Sequence, residues 1–112
     1  MQPVNFLIGL SDMVCALVFI GFSIPLLKGV VKPNRFYGAR LRKAFISEQN
    51  WYRINHYAAK RTIFWSTPVL AMGLAAFLLP LDGNTALTVI FALAPLLAAV
   101  AGFETYRFIR KL

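Results

Sequence analysis

Three apolar runs dominate the chain: Val4–Leu27, Ile63–Leu81 and Ala86–Phe103, each about 18–24 residues with at most one charge. At about 1.5 Å of rise per residue, ~20 residues cross a ~30 Å hydrocarbon core. The pattern therefore predicts an all-α integral membrane protein, a single membrane domain with spans at about 3–27, 62–81 and 85–104. The segment between the first two spans, residues 28–61, is polar enough to face water. Within it, Pro33 and Gly38 mark a loop with room for a short helix, and Ser47 followed by Glu48 and Gln49 has the chemistry of a helix start. Trp51, Ile54, Asn55, Ala58, Ala59 and Thr62 then recur at helical spacing. One long helix is expected from Ser47 to about Leu81, kinked at Pro68. The turn Leu81-Asp82-Gly83-Asn84-Thr85 closes a tight antiparallel hairpin, and the third span holds Pro95 and a series of alanines suited to close helix approach.

Charge fixes an orientation. Lys28–Arg61 carries nine of the twelve Lys and Arg residues and one acid, Glu48; the tail adds Arg107, Arg110 and Lys111. The opposite side, Met1–Val4 and Leu81–Thr85, carries no base. Basic loops stay in the cytosol, so the N-terminus is expected outside and the C-terminus inside. The first run is long enough to span and lacks a basic leader, so it reads as a span rather than a cleaved signal.

Composition agrees. Hydrophobic residues make up 59% of the chain and charged residues 14%, too apolar for a soluble domain of 112 residues to bury. The net charge of +8 reads as the flanks of membrane helices rather than a nucleic-acid surface, so no nucleic-acid partner is expected. Cys15 and His56 are single residues in different segments, which provides no metal cluster and no internal disulfide. No Ser–His–acid arrangement stands out around Ser11, Ser47 or Ser66, and the expectation is a protein without catalytic residues, metal or cofactor.

Asp12 interrupts the first span about a turn from its middle. A charge at that depth costs ~2.5–3.5 kcal/mol or more, so such residues face a protein interior or a cavity. No base lies at a comparable depth; Thr88 in the third span does, and a neutral Asp12 hydrogen-bonded to it is expected to stabilise packing or a homo-oligomer. Proton-linked transport is the alternative. Glu104, with Arg107 one turn on, reads as a minor surface pair.

The segment between the first two spans carries Pro33-Asn34, Tyr37-Gly38-Ala39-Arg40, Ser47, and Trp51 four residues before Asn55. In this it resembles the SdpI family of bacterial membrane proteins, whose pattern is an Asn, Tyr-Gly-x-Arg, a gap with Ser or Thr, then Trp and Asn. The family often has a Thr-Pro-Trp-like triplet after the Arg, where this chain has Leu41-Arg42-Lys43. Larger members carry further spans. The resemblance implies immunity to a secreted killing peptide and signalling through a repressor held at the membrane. The partners it implies are the lipid bilayer, a toxin peptide or a cytosolic regulator, at the bacterial inner membrane. Arg40 is the candidate contact, with Asn34 and Asn55 supplying hydrogen bonds. Asn55 lies one turn after Trp51 and can bond back to the Tyr37–Arg40 loop, making the motif a cytosolic cap; Trp51 reads as an interfacial anchor. Two other classes stay open: a small oligomeric transporter that uses Asp12, and a scaffold that binds anionic lipid.

Overall fold

A computed structural model describes residues 3–81 and 83–112. Met1, Gln2 and Asp82, which belong to the expected outer tail and outer turn, lie outside the described residues. The chain is all-helical among those residues. Helix α1 is Pro3–Leu27, α2 is Glu48–Ala76, α3 is Thr85–Ala92 and α4 is Ala98–Arg110, with 3₁₀ turns at Arg42–Phe45 and Ala94–Leu97.

Helix α1 starts at a proline and ends by a glycine device. Gly29 adopts a φ of 71°. Its amide donates to Leu26 O at 3.3 Å and that of Val30 to Pro25 O at 3.2 Å, closing the last turn. Helix α2 starts at Ser47, whose hydroxyl accepts the Asn50 amide at 3.0 Å. It runs unbroken through Pro68 and stops at Ala76, five residues short of the expected Leu81. Phe77 and Leu78 instead close tighter bonds, to Leu74 O and Ala75 O, that end the helix before Pro80. The third apolar run is broken rather than continuous. Pro95 lacks an amide and its ring clashes with the turn before it, so α3 gives way to a 3₁₀ turn and the two parts bend by 47°. Helix α4 continues past the expected end at 104 to Arg110.

Helix α1 is long and apolar enough to cross a membrane by itself, and the bent pair qualifies when counted as one span. The side chains are distributed as lipid requires. Along α1 the buried residues are Asn5, Gly9, Asp12, Ala16 and Ser23, a small and polar seam at heptad spacing. The large ones, including Leu7, Leu17 and Phe22, face outward. In α2 Ser66, Val69, Gly73 and Ala76 face inward while Phe64 and Leu74 face out. A water-soluble core would reverse this, whereas lipid rewards close backbone packing of small residues.

Helices α1 and α2 pack antiparallel, since Asn5 Nδ2 donates to Ala76 O at 2.8 Å while His56 meets Leu27 O at the other end. Three apolar clusters lie along this pair. Ala76, Leu81 and Phe91 form one end, Ala16, Val69 and Ala94 the middle, and Ala44, Trp51, Ile54 and Ile109 the other end. The molecule is 52 Å long, more than the ~30 Å of a hydrocarbon core.

Candidate functional site

The basic end is a cap built from the residues between α1 and α2. Asn34 folds its start: Oδ1 accepts the amides of Phe36 at 2.9 Å and Tyr37 at 2.7 Å, and Nδ2 donates to Lys32 O at 2.8 Å. The Tyr37 hydroxyl donates to Phe22 O and its ring lies 5.9 Å from the Phe22 ring, which fastens the loop to α1. Gly38 follows with a φ of 113°, a conformation that side chains resist. That turn delivers the Ala39 amide to Asn55 Oδ1 at 2.6 Å. Asn55 Nδ2 in turn donates to Trp51 O at 3.0 Å, within α2.

Trp51 is fully buried, with its indole N–H donated to Val31 O at 2.9 Å. It is the centre of the cap core and not an anchor at the membrane surface. The loop folds over it, and its ring lies 5.5 Å from Phe45. Ser47 does what its position predicts, capping α2. Asn50, which the sequence reading passed over, donates to Lys43 O at 3.1 Å, and Lys43 Nζ donates to Ile109 O at 3.0 Å. These two ties hold the 3₁₀ turn to α2 and α4. Asn50, three residues after a capping Ser, was the available signal.

Arg40 is different. It is exposed, and its guanidinium donates to Arg35 O. With Arg35 and Phe45 it lines a shallow hollow of about 380 Å³ on the cap surface. Most of the motif's hydrogen-bonding groups are thus spent on the fold of the cap, whereas the Arg40 side chain is exposed and bonds Arg35 O.

The remaining polar sites depart from expectation. Glu104 pairs across helices with Arg61, Nε to Oε1 and Nη2 to Oε2 both at 3.0 Å, and accepts the Trp65 indole N–H at 2.6 Å. It does not pair with Arg107, because the inward side of α4 faces α2 at this level. The Thr88 hydroxyl points its one proton at Leu81 O and Asn84 O, both at 2.8 Å, and forms no bond with Asp12. Asp12 is 1% exposed and neither carboxyl oxygen has a partner among the described residues.

A sequence model of the SdpI/YfhL protein family matches residues 30–103. The chain belongs to the SdpI/YfhL family. It is therefore an SdpI-like membrane protein, and the match takes in the cap, α2, α3 and the first part of α4. Comparison with curated proteins and with solved structures finds no match. Asn34, Tyr37, Gly38, Arg40, Ser47, Trp51 and Asn55 all fall inside the matched segment, whereas Asp12 and the rest of α1 precede it.

Proposed function

We propose that this SdpI-like protein has no catalytic role and gives immunity to a secreted antimicrobial peptide, or signals that peptide's presence, through protein contacts made by the cap. The observation that carries the reading is the division of labour within the motif. Its amides, indole and carboxamides are engaged internally, while Arg40 stands exposed in a hollow with no acid in its lining. Such a surface has no group to perform bond chemistry and suits an acidic or carbonyl-rich contact. The reading includes three spans, N-terminus outside and C-terminus in the cytosol, supported by the basic charge gathered at the cap end.

Two experiments test it. In toxin-sensitive cells, Arg40→Gln should lose protection while its amount in the membrane fraction stays normal. Undiminished protection would remove Arg40 from the contact. In a Cys15→Ala background, a cysteine at Thr85 should react with an impermeant reagent from outside intact cells and one at Arg42 should not. The reverse pattern would overturn the orientation.

A further inference from the structure

A second hollow at the basic end is distinct from the one at Arg40. It has a volume of about 610 Å³ and lies where the C-terminus of α1 meets α2 and α4. Residues Arg53, His56, Tyr57 and Lys60 line it from α2. Their spacing of i, i+3, i+4 and i+7 puts them on one helix face. Lys28 joins them from the end of α1, and Phe108 from α4. Tyr57 and Phe108 stack with ring centroids 4.2 Å apart and planes at 6°, giving an apolar wall. Three cations line the hollow and no acid does.

His56 is already oriented. Its Nδ1 lies 3.0 Å from Leu27 O, a carbonyl that the helix end leaves without an amide partner. A carbonyl only accepts, so Nδ1 carries the proton and Nε2 is the ring's remaining polar atom. Leu27 is also the last residue of the apolar α1, and Lys28 follows it directly. The hollow therefore sits where the apolar α1 gives way to basic chain, with an aromatic wall and a cationic rim.

We propose that this hollow binds the phosphodiester headgroup of an anionic phospholipid. Lys28, Arg53 and Lys60 neutralise the phosphate, and the Tyr57–Phe108 pair lies along the glycerol and the first methylenes. Charge complementarity and depth together select this occupant. A free phosphate would use the cations but gain nothing from the aromatic wall. The inference needs the end of α1 to lie at the membrane boundary and is independent of any role in immunity.

The test is native mass spectrometry of the full-length protein in detergent, titrated with phosphatidylglycerol or with phosphatidylcholine of the same chains. The wild type should hold phosphatidylglycerol in preference to phosphatidylcholine. Removing two cations, as Arg53→Gln with Lys60→Gln, should weaken phosphatidylglycerol roughly tenfold or more. Both side chains are exposed, so the fold should survive, which a circular-dichroism melt checks. The pair Arg42→Gln with Arg110→Gln removes the same charge away from the hollow and should leave binding within about twofold. Equal weakening by both pairs would reduce the effect to general surface charge and overturn the site. So would indifference between the two lipids. Displacement of phosphatidylglycerol by inorganic phosphate at millimolar concentration would make a soluble phosphate the occupant, overturning the lipid assignment.

Discussion

Asn55 Oδ1 occupies the space that a side chain on Gly38 would need: a Cβ there would lie 2.7 Å from it. The two residues are a single device. Gly38 supplies the φ of 113° that turns the Ala39 amide inward, and Asn55 accepts that amide at 2.6 Å. Seventeen positions apart in sequence, they close the loop onto α2.

Gly38→Ala should therefore destabilise the cap by ~1–3 kcal/mol, from backbone strain and from the displaced Asn55. Asn55→Ala should cost a similar ~1–3 kcal/mol, because the part-buried Ala39 amide loses its acceptor. The two losses should be strongly non-additive in thermal melts in detergent, since either change breaks the same contact. Additive losses would mean that the residues act separately.

The sequence made this cap partly legible. Helical spacing puts Asn55 one turn after Trp51, and Gly38 signals a turn, so a bond between loop and helix could be expected. Burial of Trp51 could not. Trp suits both an interface and a core, and what decides is the path of the Val31–Ala44 loop, which lacks regular periodicity. Similarly, Glu104 has Arg107 nearby in sequence, yet its partner is Arg61, 43 residues earlier. Local spacing does not report which face of α4 meets α2. The break at Pro95 was marked by the proline itself, and Pro80 likewise marks a stop for α2, but the exact end at Ala76 is set by tight turns within the apolar stretch before it.

The crossing of α1 and α2 makes a second prediction. A Cβ on Gly73 would lie 2.8 Å from Met13 Cγ and 2.9 Å from its backbone N, and one on Gly9 would lie 2.9 Å from Gly73 O. Gly73→Val should force the helices apart and lower stability by ~1–3 kcal/mol or more. Gly21, with nothing within 4 Å of its would-be Cβ, is the control. Gly21→Ala should be neutral or stabilise by up to ~1 kcal/mol through helix propensity. Equal effects in unfolding assays would contradict the close crossing.

The Arg61–Glu104 pair joins α2 to α4 with two parallel bonds, and its side chains are 23% and 26% exposed. Solvent screens such a pair, so a double-mutant cycle of Arg61→Met and Glu104→Gln should give a coupling of only ~0.5–1 kcal/mol. Raising ionic strength should shrink it. The Trp65 indole bond to Glu104 persists in Glu104→Gln, whose carboxamide oxygen still accepts, so that single variant should lose less than Glu104→Ala. Equal losses would remove Trp65 from the clamp.

Asp12 is the residue whose place in the fold is least explained by stability. It lies in the seam facing α2, its Cβ 3.1 Å from where a Cβ on Gly73 would be, and both oxygens lack partners among the described residues. An unsatisfied buried polar group costs ~1–3 kcal/mol, and the seam already accepts alanine one turn on, at Ala16. Asp12→Ala should therefore raise the melting temperature, with a gain of that order, and Asp12→Asn should change it little. A loss of stability in Asp12→Ala would instead reveal a partner for the carboxyl, supplied by a second copy or by bound water. The decisive comparison is with function. If Asp12→Ala is more stable and still protects cells, the acid is incidental to immunity. If both Asp12→Ala and Asp12→Asn fold well and fail to protect, the proton that only the carboxylic acid can exchange is being used, and the transport reading gains over cap contacts alone.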